Sequence, residues 1–488
     1  MTDNEGSYVR EAPKRTLVRR DLEATDKSIA PICHSDASLA LARSLCVVAL
    51  LFASGDVWPV IRIGFTFRLS QVCVLAAALV VLFNGNQTLR PFSGFKWAYA
   101  YLLWITLTLP FSLLLARSIG YVVWAVTDFL IIAILVQCFD DERSFRTLMI
   151  WFTNSFSVIS LFGIAQLILG VIGHPIFVTE WWIKGILPRV NGLSYEPSYY
   201  ATYLIAGWVF AQRLLERNGQ FPPRILQKIC LWSTTSALII CGSRMGWLMM
   251  ILWMVFRSCR KFTTSLVRGR MRRGVLQRLP VVVVGLCVAF GGVLHYRVFL
   301  RDQWVKVDFL LRGLDLVDHS SASSGPRIKQ LRWTLDSIAE HPIVGSGIGA
   351  LPVEIAPHED SAVWTLKEAK QHEGMSIFPE VVASTGIVGA LLMVGFALSV
   401  FLRCQKALMV ASASGKAILS ALSWGLIWML LMLQMNQNFL RIYMFVDLAA
   451  LLCCCEVIIR PSRTAGRRDV SSLNSCERVR GPIVTMEK

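Results

Sequence analysis

Long apolar blocks recur along this chain and constrain its fold more than any motif does. Two of them are L-S-Q-V-C-V-L-A-A-A-L-V-V-L-F from Leu69 and V-V-A-S-T-G-I-V-G-A-L-L-M-V-G-F-A-L-S-V-F-L from Val381. A bilayer core about 30 Å thick takes roughly 20 such residues per helix. A soluble protein with buried helices has no reason to repeat the block along its whole length. Charged residues make up 17% of the 488-residue sequence, against roughly 25% in soluble domains. The expected fold is all-α: a polytopic membrane protein of about 12 transmembrane helices with one long, partly helical loop outside the bilayer. Spans are placed near 39–54, 69–84, 96–115, 120–137, 148–172, 198–215, 229–242, 244–257, 279–296, 379–402, 417–434 and 439–459. The pair flanking Ser243-Arg244 is short enough to be a tilted pair or a re-entrant hairpin.

Charge sets the orientation. The segment Arg257–Arg278 holds eight basic residues and no acid, and such loops stay cytoplasmic. That choice also places the basic stretches 213–228, 403–416 and 460–488 on the cytoplasmic side. The division expected is a disordered cytoplasmic tail over 1–38, a transmembrane domain over 39–459, a long non-cytoplasmic loop over 297–378 within it, and a basic cytoplasmic tail over 460–488. The net charge of +17 then marks cytoplasmic loops and not a nucleic-acid partner. Most of the cysteines fall inside expected spans, at spacings that fit neither a zinc nor a redox pattern, so they read as small apolar helix residues. The long loop carries nine basic and eleven acidic residues together with Trp304, Trp333 and Trp364. A connection of that length is functional or disordered, and its tryptophans and apolar patches indicate that part of it folds.

Three places hold residues with chemical potential. The first is W-W-I-K-G-I-L-P-R-V-N-G-L-S-Y-E-P-S-Y-Y, from Trp181. An aromatic belt at a membrane interface accounts for Trp181, Trp182, Tyr199 and Tyr200. Pro197 and Ser198 open a helix, with Glu196 at its N-terminal end. Charge at the start of a span is costly unless paired. Arg189 and Glu196 therefore either pair with each other or face a cavity that takes a polar headgroup. The second is S-S-G-P-R-I-K-Q-L-R-W-T-L-D-S-I-A-E-H-P-I-V-G-S-G-I-G, from Ser323. Here Arg327 and Arg332 lie on an amphipathic helix with Leu331, Leu335 and Ile338 on one face, ending near His341-Pro342. Gly345, Gly347 and Gly349 follow a helix outside the membrane, so a tight turn is expected there and not a nucleotide cradle. The third is His372-Glu373, just before a span. It is either a solvated loop pair or, near an anionic headgroup, a proton carrier.

These motifs together resemble the bacterial O-antigen ligase and O-antigen or exopolysaccharide polymerase family. The match rests on Arg189, Gly192 and Pro197; on Ser243, Arg244 and Gly246; on Arg327, Arg332 and Trp333 with Pro342, Gly345 and Gly347; and on His372 with Gly386 and Gly389. The resemblance covers roughly residues 180 to 390. It implies a membrane-embedded, inverting glycosyltransferase of the bacterial inner membrane, with no cofactor, no metal and no nucleotide sugar. Its donor would be an undecaprenyl-diphosphate-linked glycan, and its protein partners chain-length regulators or export proteins. Arg189 and Arg327 would bind the lipid diphosphate, aided by Arg244 and Arg332, and His372 or Glu196 would serve as base or acceptor-orienting group. Arginine forks match phosphate oxygens, and stabilising charge on the leaving group is a large catalytic effect.

Two departures direct the reading further. The family's ligases carry His-Asn in the last motif and Pro-Asn in the first, where this chain has His372-Glu373 and Glu196-Pro197-Ser198. The E-P-S form resembles polymerases more than ligases acting on lipid A-core. A transporter or flippase of lipid-linked sugars stays open, because Asp128, Asp447 and Glu456 lie within or near expected spans. A structural subunit of an export complex is a third class.

Overall fold

The computed structural model describes residues 33–63, 65–83, 90–219, 221–267, 324–363, 365–369, 372, 376–435 and 440–460. Its helices are α1 (Cys33–Leu51), α2 (Leu69–Phe83), α3 (Phe95–Leu107), α4 (Leu115–Cys138), α5 (Glu142–Val171), α6 (Pro197–Glu216), α7 (Arg224–Ile240) and α8 (Arg244–Val267). They continue with α9 (Ser324–Glu340), α10 (Leu351–Ile355), α11 (Leu366–Ala369), α12 (Ile377–Val410), α13 (Ala413–Leu433) and α14 (Ile442–Ile459). Helices thus occupy eleven of the twelve expected span positions. The twelfth, 279–296, lies outside the described residues, as do 1–32, 297–323 and 461–488.

Five of these helices are long and apolar enough to cross a membrane: α4, α5, α12, α13 and α14. The chain is a helical membrane protein, and the expected count of 12 is not reached by that measure. The reasons are physical. With 15 and 13 residues, α2 and α3 fall short of the roughly 20 that span a bilayer core. Pro110 sits in the 3-10 turn Leu109–Phe111, which ends α3 well before the expected residue 115. Helix α6 fails on polarity, yet every residue from Pro197 to Leu214 is buried. Surrounded by protein, it can carry Thr202, Tyr203 and Gln212 without exposing them to lipid.

Polar contacts divide the bundle into two ends. At one end lie two antiparallel hairpins, β1 (Val60–Ile63) with β2 (Phe65–Arg68) and β3 (Glu180–Ile183) with β4 (Leu187–Arg189). These short strands are the exception to the expected all-α fold. At this hairpin end Asp56 N–H donates to the Leu193 carbonyl, Ser194 Oγ to that of Ser54, and Leu113 N–H to that of Ser346. The opposite end collects Arg43 with Asp141, Arg90 and Arg460 with Asp140, Arg403 with Glu456, and Arg257 with Glu216. Successive helices therefore run antiparallel between the ends. Helices α6 and α14 form the centre, with α13 packed along both.

The long loop contributes α9 to α11, and α9 packs on α12. The spacing marked Leu331 and Leu335 as the apolar face of α9. Both are exposed, and the buried positions are Gln330, Thr334 and Ser337. Among the expected apolar residues, Ile338 packs with Trp333 against Leu351, Ile355 and Ala383.

Helix α12 is broken at Gly386, which adopts φ 66° and ψ −176°, a region open essentially to glycine alone. The glycine turn after α9 fits into this break. Gly345, Gly347 and Gly349 all have positive φ, as expected for a tight turn. Ser346 N–H donates to the Ala383 carbonyl, Gly347 N–H to that of Ser384, and Ile387 N–H to that of Pro342. The carbonyl of Thr385, freed by the break, accepts from Trp104 Nε1 at 2.9 Å. Backbone groups lost to the helix are satisfied by the loop, as a membrane environment requires.

Candidate functional site

The Arg189 segment is positioned by a hairpin and by one glutamine. In the β3–β4 register Glu180 lies opposite Arg189, and Arg189 Nη1 meets Glu180 Oε2 at 2.5 Å. Of the two alternatives open for Arg189 and Glu196, the mutual pair is not formed: Arg189 pairs with Glu180, and the chain turns between Arg189 and Glu196. There Asn191 and Gly192 N–H both donate to Gln166 Oε1 on α5, at 3.1 and 3.0 Å. Gly192 has φ 58° and faces the Tyr200 ring at a distance that admits no side chain. Glu196 is then the residue preceding α6, as the Pro197 signal indicated, and its carboxylate accepts from Ser198 Oγ at 3.0 Å.

The aromatic residues assigned to an interfacial belt are mostly packed inside. Tyr199 and Tyr200 are buried, and Tyr200 donates to the Ile159 carbonyl. Trp182 lies under the Arg189 guanidinium, 5.5 Å from centroid to Cζ. It also covers Gly242 so closely that a Cβ there would strike its ring. Gly242 and Ser243 form the turn into α8, where Ser243 Oγ accepts from Gly246 N–H, and Arg244 is the first residue of that helix. Trp182 thus brings Arg189 and the Ser243-Arg244 turn together. Gly246 in turn packs on Ala201, one turn below Glu196 on α6.

Beside this group lies a charge cluster that no motif announced. Asp56 accepts from Arg68 Nε at 2.7 Å and from Arg441 Nη1 at 2.9 Å. All three side chains are about nine-tenths buried, and the Arg441 guanidinium lies 4.0 Å from the Tyr199 ring centroid. One carboxylate therefore ties together the starts of α2, α6 and α14. Asp56→Asn would remove the carboxylate that pairs with the buried Arg68 and Arg441 guanidinium groups, a loss of about 3–5 kcal/mol. A thermal melt in detergent should show a large drop in Tm, and an unchanged Tm would refute the clamp.

The long loop builds a second group. His372 is 7% exposed. Its Nδ1 lies 2.7 Å from Glu359 Oε2 and its Nε2 3.3 Å from Ser361 Oγ. An ionised carboxylate only accepts, so Glu359 fixes the proton on Nδ1, while the Ser361 hydroxyl lies between Nε2 and the Ala356 carbonyl, to which it donates at 3.0 Å. Glu359 and Ser361 were not singled out from sequence. Trp333, next to the exposed Arg332, stacks on His358 at 5.4 Å, which connects α9 to this group. Arg327 falls in the first turn of α9, and Glu373 lies outside the described residues.

Among the described residues, Glu340, His341 and Glu354 bring their ligand atoms within 4.8 Å of one another and are the group that could hold a cation. Burial pushes the Glu354 carboxyl above its ordinary value of 4.5, and Glu340 adds to this while His341 opposes it. The folded protein therefore favours protonated Glu354. Its contribution to stability is full below the ordinary value and is lost as pH rises through the raised one. Glu354→Gln, neutral throughout, should melt higher than the parent at pH 8, and the gain should disappear by about pH 4. A gain independent of pH would exclude this cause.

The fold is that of a helical membrane protein, and it carries two separate polar groups, one around Arg189 and the Ser243-Arg244 turn and one around the carboxylate-held His372. Residues 229–394 match a family model described as O-antigen ligase. The match contains Arg244, Arg327, Arg332 and His372, while Arg189 and Glu196 precede it. No curated protein matches the chain.

Proposed function

We propose that this chain is a polysaccharide polymerase that joins glycan repeat units from undecaprenyl-diphosphate donors on the periplasmic face of the inner membrane. The observation that carries this reading is the meeting of Arg189 with the Ser243-Arg244 turn through Trp182. Two guanidinium groups on adjacent rigid elements suit the oxygens of a diphosphate. Arg213, Arg257, Lys261 and Arg403, from the basic segments, belong to ion pairs at the end opposite the hairpins, which supports a periplasmic site under the positive-inside rule. The Glu196-Pro197-Ser198 turn favours polymerase over ligase.

In the proposed reaction an acceptor hydroxyl oxygen attacks the anomeric carbon and forms the new glycosidic bond. The bond from that carbon to the diphosphate oxygen breaks with inversion, and the diphosphate leaves with the electron pair. Arg189 and Arg327 stabilise its charge, with Arg244 and Arg332 as further contacts. The hydroxyl proton passes to His372 Nε2, which Glu359 orients through Nδ1, or to Glu196. No metal takes part in this scheme.

The family description favours a second reading, a ligase that transfers the lipid-linked glycan to an acceptor such as lipid A-core. Purified protein in liposomes with lipid-linked repeat units, without nucleotide, distinguishes these readings. Polymerase activity gives a ladder of longer lipid-linked glycans. Product only when lipid A-core is added identifies a ligase. Passage of intact lipid-linked units across the bilayer with no new bond overturns the enzyme reading and marks a transporter. In the same assay His372→Ala should reduce chain growth by about 10²–10⁴-fold, and full activity would return the proton to Glu196.

A further inference from the structure

The end opposite the hairpins holds a cavity of about 670 Å³, lined among others by Arg90, Lys96, Trp97, Arg403, Glu456 and Arg460. It opens between the start of α3, the lower part of α12 and the end of α14, and the polymerase scheme makes no use of it. We propose that this cavity binds the phosphate headgroup of an anionic phospholipid in the leaflet remote from the glycan site.

The charge arrangement carries the proposal. Two carboxylates hold three guanidinium groups in place. Asp140 Oδ2 lies 2.6 Å from Arg90 Nη1 and 3.0 Å from Arg460 Nη1. Glu456 takes Arg403 through two bonds, Nε to Oε1 at 2.9 Å and Nη2 to Oε2 at 2.6 Å. Lys96 adds a fourth cation to the lining. Four cations against two anions leave an excess of two positive charges around a cavity large enough for a headgroup. Arg90 and Arg460 retain partial exposure, so their remaining donors are accessible from the cavity mouth.

The surroundings select a lipid over a soluble anion. Trp97 packs on Gly395, where a Cβ would strike its ring. This fixes an exposed indole at the cavity rim, as interfacial tryptophans are placed. Further from the cavity Tyr99 and Leu103 on α3 and Leu391 and Val394 on α12 are all exposed. Helices α3 and α12 pack together, so these side chains form an apolar track leading from the phosphate position toward the bilayer centre. Basic pockets between membrane helices on the cytoplasmic side bind anionic headgroups by this combination.

The test is native mass spectrometry of the full-length protein in detergent with added phosphatidylglycerol or phosphatidylcholine. The parent should retain phosphatidylglycerol with at least about tenfold preference. The Arg90→Gln/Lys96→Gln variant should lose that preference, with retention falling roughly 30-fold for two removed charges. Lys96→Gln alone, which leaves every ion pair above intact, should lose part of it and provides the reading if the double variant does not fold. Equal retention of both lipids by the parent, or an unchanged preference in Lys96→Gln, overturns the proposal. Displacement of the lipid by millimolar inorganic phosphate also overturns it, since the site would then recognise a free anion and not a lipid. Because the readout is lipid binding, its failure is independent of any failure of the polymerase reading.

Discussion

Gly386→Ala should abolish recovery of folded protein from detergent-extracted membranes. An alanine at φ 66° and ψ −176° occupies a conformation that L side chains do not adopt. Its Cβ would also be driven into the carbonyl of Ile343 and the amide of Val344. Both obstacles are backbone, so no rotamer change relieves them. The seam can accept the side chain only by releasing the hydrogen bonds from Ser346, Gly347 and Ile387. The combined cost should exceed about 4 kcal/mol, in the range reserved for severe core defects. Gly389→Ala provides the comparison, because its Cβ would meet the side chains of Thr385 and Trp104 and not backbone. Size-exclusion profiles and thermal melts should rank parent, Gly389→Ala and Gly386→Ala in falling order. A Gly386→Ala protein that melts within a few degrees of the parent would disprove the seam.

Arg189→Ala should lower glycan chain growth by about 10²–10³-fold at matched expression, the effect of removing one donor to a developing anion. Arg189→Lys should recover only part of this, since an ammonium keeps the charge but not the planar fork. Arginine 189 also pairs with Glu180, so a structural contribution must be separated from a chemical one. Glu180→Gln removes the partner and keeps the cation, and it should retain most activity. If Glu180→Gln were as inactive as Arg189→Ala, the hairpin pair would be needed for folding, and the diphosphate role would fall.

The sequence revealed elements more readily than their partners. Apolar blocks located the helices, and Pro197 marked the start of α6, because both signals are local. The α9 spacing identified a helix and its apolar face but not what that face meets. A hydrophobic stripe shows which face must leave water; it does not show whether protein or bilayer receives it, and Leu331 and Leu335 are exposed while Gln330, Thr334 and Ser337 are buried. The Arg189 partner depended on a strand register that strands of four and three residues leave unmarked, so Glu180 was not legible as that partner. The Asp56 clamp joins residues 385 positions apart, and nothing near Asp56 or Arg441 records the other. Glu359 and Ser361 were hidden because the contacts to His372 arise from the path of the loop and not from any spacing.

The break in α12 also divides that helix between two owners. Before the break, Ala383 and Ser384 are bonded to the glycine turn of the long loop, whereas the part beyond Gly386 packs on Trp97 of α3 through Gly395 and on Glu456 of α14 through Arg403. Any exchange of the loop between relatives must therefore carry the first helical turns of α12 with it. A graft ending at the apparent membrane boundary near Ile377 would pair one chain's turn with another's broken helix. A junction placed after Gly389 would transfer the whole seam as one cassette.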